Sequence, residues 1–362
     1  MDITRPTVME VDVKAFEHNV KEIQDFVGAN VKLMPVIKAN SYGTYINTNS
    51  TILNKFDIVA VAIVDEAIRL REIGYKNEIF ILNQPSKYEI DKIIKYNITV
   101  GVCENNFIEI LGKFKENVKV HIEIDSGMGR TGIKPENIIE FIKKIKDYSN
   151  IEIEGIYTHL SSADTDFEYT EKQIDIFDEC VNNAKKILKE IKYIHCSASN
   201  GILNFPQSYY NLVRPGIILY GYEAGENTFQ KMNLIPTTKL KSKITFLKEV
   251  DENTSIGYSR KFITNRKTKV ATIPIGYADG LRRMCSKKGE VVINGKKAPI
   301  IGNICMDSIM VDVTEIENVE INTDVYIWDN NIIKLEEISK LTDTINYEIL
   351  STISNRVPRI FI

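Results

Sequence analysis

The sequence predicts an α/β protein: an N-terminal (β/α)8 barrel followed by a mostly-β C-terminal domain. Three observations carry this expectation. Eight short, β-rich apolar runs follow one another, amphipathic helical stretches separate them, and beyond Pro236 the rhythm changes to alternating strands with few helices between.

The eight runs are VKLMPVIKA, FDIVAVAIV, EIFILN, ITVGV, VKVHIEID, IEIEGIYTHL, KYIHCSAS and NLVRPGIILYG. They are nearly continuous in apolar character, as strands buried on both faces must be. KAFEHNVKEIQDFV precedes them, and DEAIRLREIG, KYEIDKIIKYN, ENIIEFIKKIKDY and EYTEKQIDIFDECVNNAKKILKEI lie between them with helical spacing. Strands alternating with helices indicate a parallel sheet, and eight of them indicate closure into a TIM-type barrel. An open doubly wound sheet would usually carry a glycine-rich turn after its first strand, and KANSYG offers no GxGxxG. The later segments KLKSKITFLKEV, TKVATIPIGY, EVVINGKKAPII, SIMVDVT and DVYIWD read as strands, with an Asn294-Gly295 hairpin turn inside the third. The boundary is placed so that residues 1–235 form the barrel and 236–362 the second domain, with the opening residues packing against the latter.

The 362 residues carry a net charge of only −3, which lacks the basic field that nucleic acid or an anionic membrane requires. A small-molecule partner is expected instead. Cys103, Cys180, Cys196, Cys285 and Cys305 are scattered without CxxC spacing, which argues against a disulfide framework and a zinc site. No secretory signal and no membrane-length apolar segment is present, so the protein is expected in the cytoplasm.

In such a barrel, reactive groups belong at the C-terminal ends of the strands, and a phosphate commonly sits after the last two. Lys38 ends the first run, Arg130 follows the fifth, His159 ends the sixth, Ser199 follows the seventh, and Gly216 and Ile217 lie in the eighth. Each has an ordinary alternative: a solvated lysine, a core histidine, a helix N-cap at Ser199. Those alternatives do not explain why all of them fall on one face. A lysine opposite a phosphate cradle fits pyridoxal phosphate, which takes a lysine as a Schiff base.

VIKANSYG, IDSGMGRTGI, VRPGIILYG, IGYSRKF, IPIGYADG, IIGNICMDSIMVDVT and NYEILSTISNRVPRIF, in that order, resemble the motifs of the alanine racemase family nearly end to end. The resemblance implies a pyridoxal-phosphate enzyme that interconverts L- and D-alanine, supplying D-alanine for peptidoglycan. It also implies a head-to-tail homodimer with the active site shared between subunits. Lys38 would hold the cofactor and serve one face of the substrate, and Tyr258 would serve the other from the partner subunit. Tyr42, Ser199, Gly216, Ile217 and Tyr347 would surround the phosphate, His159 would pack along the ring, and Arg214 would bond the ring nitrogen. Arg130 would reach the substrate carboxylate, with Met306 assisting beside Asp307. Asp164, His195, Tyr277 and Arg283 match positions of the family's substrate corridor.

Physical chemistry supports this division. Inverting a stereocentre needs a proton removed from one side and delivered on the other, so two groups must flank the carbon. Lysine and tyrosine both start near pKa 10, so the site must lower at least one of them. Arg214 can only donate, which keeps the ring nitrogen unprotonated.

Four positions depart from the family pattern. Glu123 stands where the family often has a lysine, carbamylated in some members, and is expected to supply the negative charge to Arg130 directly. Ala198, Thr44 and Asn303 replace an asparagine, a histidine and an arginine. SASNGILNFP and YTEKQIDIF are also similar to serine-racemizing membrane-linked relatives associated with vancomycin resistance. Serine or broader racemization is therefore the alternative activity, and a decarboxylase or a non-catalytic cofactor-binding barrel the more distant ones.

Overall fold

The structure is a computed structural model and describes residues 4–225, 227–228, 231–286 and 288–362. The chain opens with strand β1 (Val8–Val11) and helix α1 (Val13–Val27). Asp12 caps that helix, its Oδ1 accepting from Ala15 N at 2.9 Å. The barrel strands follow: β2 (Lys32–Leu33), β3 (Ile58–Val61), β4 (Glu78–Ile81), β5 (Thr99–Val102), β6 (Val118–Glu123), β7 (Ile151–Tyr157), β8 (Tyr193–Ala198) and β9 (Leu212–Arg214). Each falls in one of the eight apolar runs.

All pairings in this sheet are parallel, in the order β2-β9-β8-β7-β6-β5-β4-β3. The ring is closed only by a single bridge between Val36 and Ala60, where Ile37 N donates to Ala60 O and Ala60 N to Pro35 O, both at 2.9 Å. Pro35 has no N–H to give a ladder, so β2 is short and its strand direction breaks just before Lys38. Helices such as Ile138–Lys146 and Phe167–Lys185 cover the outside with one apolar face each.

The second domain contains β10 (Thr238–Lys243), β11 (Phe246–Val250), β12 (Ser255–Ile256), β13 (Phe262–Ile263), β14 (Thr268–Ile273), β15 (Glu290–Ile293), β16 (Lys296–Ile301), β17 (Ile309–Asp312), β18 (Asp324–Trp328) and β19 (Arg359–Phe361). β15 and β16 form the hairpin expected around Asn294-Gly295, both residues having positive φ, at 49° and 73°. β1 pairs with β10 and β19, so the N-terminal strand lies in the sheet of the second domain. Arg5 ties the same segment down with two bonds to the Asp279 carboxylate, at 2.5 and 2.6 Å.

Two features were not visible in the sequence: the small β12–β13 hairpin, and the helices Leu335–Leu341 and Asn346–Thr352. The second of these helices reaches the barrel mouth. Gly43, at φ 79°, lies so close to it that a Cβ there would meet Leu350 O at 2.1 Å, and Arg359 Nε donates to Gly43 O at 2.8 Å. Gly43→Ala is therefore expected to lower unfolding stability by at least about 2 kcal/mol, through backbone overlap added to left-handed strain. Urea denaturation of the two proteins measures it.

Candidate active site

Lys38, Arg130, His159, Ser199, Arg214 and Gly216 border one cavity of 980 Å³, into which Tyr42, Asp164 and Tyr347 also face. Every one of the first six sits at or just beyond the C-terminal end of a barrel strand. Ile217 is buried directly behind Gly216.

The peptide after Lys38 turns the wrong way. Ala39, Asn40, Ser41 and Tyr42 all have φ between 52° and 54°, a left-handed turn that costs L-residues about 1–2 kcal/mol each. It is held by bonds from both ends. Ser41 N donates to Ile37 O at 3.0 Å, Tyr45 N to Asn40 O at 2.8 Å, and Asn47 N to Ser41 Oγ at 3.0 Å. Ala39 N donates to the Glu66 carboxylate at 2.6 Å. Thr44, at a position where the family has histidine, closes the turn through Oγ1 to Ser41 O at 2.8 Å. The outcome is a fixed Tyr42 beside the cavity and a Lys38 amine at its edge. Burial, aided by the nearby Arg130 charge, holds the Lys38 pKa below that of a free lysine.

Arg214 is 2% exposed and forms the cavity floor. Nη2 donates to Thr158 O and Cys196 O at 2.8 Å and approaches His159 Nδ1 at 3.2 Å, and Nη1 meets His195 Nδ1 at 2.8 Å. Among the described residues no acceptor takes the second hydrogen on Nη1 or the one on Nε, so the guanidinium keeps donors to spare. Burial, and then the charge of Arg214, push the His159 pKa down to about 3. That ring is neutral at physiological pH.

His195, which the resemblance matches to the substrate corridor, is fully buried and meets Arg214 through Nδ1. Glu123 Oε1 accepts from Thr131 Oγ1 at 2.8 Å, and the Arg130 charge acts on Glu123 without a direct ion pair. The reason is orientation: Glu123 ends β6 as a buried side chain, whereas Arg130 is exposed at the tip of the following loop. Burial raises the Glu123 pKa.

The remaining site residues form a second group on the other domain. Tyr258 is 69% exposed, and Tyr277, Arg283, Met306 and Asp307 are exposed as well. None borders the cavity. Asn303 Nδ2 donates to Tyr258 O at 3.0 Å, and Tyr277 N and Ala278 N donate to Cys305 O and Met306 O at 3.1 and 3.0 Å. Asp307 accepts from Arg356 at 2.6 Å. One chain thus carries two separated sets of groups.

The cavity fits a phosphorylated pyridine aldehyde. Gly216 N lies 3.1 Å from Ser199 Oγ, and a Cβ at Gly216 would come within 2.6 Å of the Tyr42 hydroxyl, so only glycine leaves this corner open. Ala198 leaves its neighbour Asn200 bonded to Ala224 O at 3.3 Å.

A barrel with a lysine at its mouth and a β-domain that closes over one edge defines the class, and comparison with known proteins defines the family. Residues 11–224 match the alanine racemase N-terminal domain and residues 237–361 the C-terminal domain. The chain is 40% identical to the alanine racemase of Halothermothrix orenii, over 99% of this chain and 97% of that one. It is 39% identical to that of Methanococcus maripaludis, over 99% and 100%. The solved alanine racemase of Clostridium difficile 630 superposes with a TM-score of 0.95 at 34% identity, covering 100% of this chain and 97% of that one. The Bacillus anthracis enzyme with bound L-Ala-P gives 0.92 at 32%, covering 100% and 96%. The chain belongs to the alanine racemase family and is an amino-acid racemase.

His159 is expected to show no ring titration by NMR at or above about pH 5. Its folded pKa lies below the ordinary 6.5, so its contribution to stability is complete above that value and is lost as pH falls toward 3.

Proposed function

We propose that the protein interconverts L- and D-alanine with pyridoxal phosphate held at Lys38, in a homodimer whose second copy lends Tyr258 to the site. The observation that carries the reading is the single cavity that joins a lysine of lowered pKa to Arg214, His159 and the corner at Ser199 and Gly216.

The bound cofactor supplies a conjugated ring that withdraws electrons from the substrate α-carbon. The chain does the rest. Tyr42, Ser199, Tyr347 and the backbone at Gly216 and Ile217 hold the phosphate. Arg130 pairs with the substrate carboxylate, which fixes the α-carbon beside Lys38. Lys38 Nζ takes or gives the α-proton on one face, and burial lowers its pKa in the direction a usable base needs. Tyr258 Oη of the partner subunit does the same on the other face, with Met306 and Asp307 lining the approach. Arg214 donates to the ring nitrogen and cannot accept a proton in exchange.

Supply of D-alanine for wall precursors follows from this activity. Serine is the second substrate to compare, because a small pocket discriminates an added hydroxyl only modestly unless it bonds that hydroxyl.

Incubation with L-alanine and L-serine separately in D2O, followed by resolution of the enantiomers, tests the reading. Deuterated D-alanine is expected to accumulate faster than D-serine, and no exchange of the alanine α-proton would overturn it. Lys38→Ala is expected to abolish racemization and the borohydride-sensitive cofactor absorbance together. Tyr258→Phe is expected to keep that absorbance and lose about 10²–10⁴-fold in rate.

A further inference from the structure

Behind Arg214 the barrel interior contains a polar line that the reaction does not use directly. Arg214 Nη1 lies 2.8 Å from His195 Nδ1, and His195 Nε2 lies 2.9 Å from His121 Nδ1. His121 Nε2 faces Glu154 Oε2 across 3.8 Å, and neither atom has a hydrogen-bond partner. Glu154 Oε1 accepts from Lys119 and Lys192, both at 2.7 Å. His121, His195 and Glu154 are all buried, and His121 stacks on Phe80 with ring centroids 4.4 Å apart. The fold makes room for the line. β6 and β7 shift register between Val120 and His121, and a Cβ at Gly155 would come within 2.9 Å of the His121 ring.

The direction of every bond follows from one fact. Arginine only donates, so His195 Nδ1 must accept, and the proton of that neutral ring is on Nε2. His195 Nε2–H then donates to His121 Nδ1. The proton of His121 is therefore also on Nε2, aimed at the Glu154 carboxylate. Arg214 has no carboxylate of its own within ion-pair distance among the described residues, although an unpaired buried charge is costly. Past His121, 3.8 Å from its Nε2, stands the Glu154 carboxylate, itself paired with Lys119 and Lys192.

We propose that His121, acting through His195 and facing the Glu154 carboxylate, is a positioning residue for Arg214: a hydrogen-bond line of fixed polarity that orients the guanidinium from inside the barrel. The proposal rests on the reading of Arg214 as the donor that faces the cofactor ring. The same polarity settles a competing use of these side chains. Ligand atoms of Glu78, His121 and Glu154 lie within 4.8 Å of one another, as in a cation site. An Nε2–H has no lone pair for a metal, and the two lysines already neutralise Glu154. Burial works against the Glu154 carboxylate, but bonds from its neighbours prevail and hold its pKa well below the ordinary value. It stays an anion.

The chain has four histidines, so ring ¹⁵N spectra can be assigned by substitution. They are to be recorded on the full-length protein as purified and after loading with pyridoxal phosphate. His195 and His121 are both expected to be neutral, with pyrrole-like Nε2 and pyridine-like Nδ1. A protonated Nδ1 on either ring, or a Zn²⁺-dependent shift of His121 Nε2, would overturn the proposal. His121→Phe keeps the stacking and removes the acceptor. It is expected to lower kcat roughly ten- to a hundredfold, the size of outer-shell effects at other sites, with KM moved less and the cofactor absorbance shifted. His121→Gln, whose Oε1 can accept from His195, is expected to retain most of the rate, and Glu154→Gln to shift the absorbance in the same direction as His121→Phe but by less. Equal losses in His121→Phe and His121→Gln, or none in either, would also overturn it. A wild-type chain that neither takes up pyridoxal phosphate nor racemizes alanine would refute the reading of the reaction, while the ring spectra would still decide the polarity of the line.

Discussion

A permanently charged guanidinium buried in the barrel floor, with no carboxylate beside it, is the constraint around which the rest of the cavity is arranged. Arg214 can be accommodated only because two backbone carbonyls and two neutral imidazoles converge on it. Its charge then sets the chemistry of its neighbours. It helps keep His159 unprotonated and contributes to lowering the Lys38 pKa. A lysine in its place would present a point charge without the planar fork that these four partners meet.

The second constraint is the seam between the domains. The left-handed turn at residues 39–42 is strained on its own, and it ends at a glycine pressed against the C-terminal helix that carries Tyr347. Tyr42 and Tyr347 meet across the seam with ring centroids 5.8 Å apart, and Tyr347 Oη donates to Ala224 O at 3.3 Å. Strain at the lysine loop is thus balanced by packing from the other domain as well as by the barrel's own hydrogen bonds. The same β-domain presents Tyr258 and Met306 outward, away from its own barrel mouth. Tyr258 and Met306 therefore stand apart from the cavity of their own chain.

The barrel was legible in the sequence because strands buried on both faces leave unbroken apolar runs, and all eight do. The Asn294-Gly295 turn was legible because few residues tolerate two successive positive φ values. Grouping of Lys38, Arg130, His159, Ser199 and Gly216 was legible from their places at strand ends, whereas Arg214 was marked only by the family resemblance. Side-chain direction was not. Whether Glu123 turns inward to Thr131 or outward to Arg130 depends on strand pleat and loop path, and motif spacing carries neither. His195 looked like a corridor residue because the motif fixes its position along β8 but not the layer of the barrel it enters. The left-handed turn escaped because Ala39, Asn40 and Ser41 include no glycine to announce it. His121 and Glu154 carried no signal at all, since each reads as an ordinary residue in a strand until the fold stacks them.

The central claim is that a complete site takes Lys38 from one chain and Tyr258 from another, and mixing two inactive proteins tests it most directly. Lys38→Ala and Tyr258→Phe chains, dissociated together and allowed to re-form dimers, would produce heterodimers with one intact pair and one doubly defective pair. Random reassortment should then restore roughly a quarter of the wild-type racemase activity, with two-fold dimers as the assembly. Activity that stays at the sum of the two parents, with heterodimers demonstrably present, would place both groups of a site on the same chain and contradict the account.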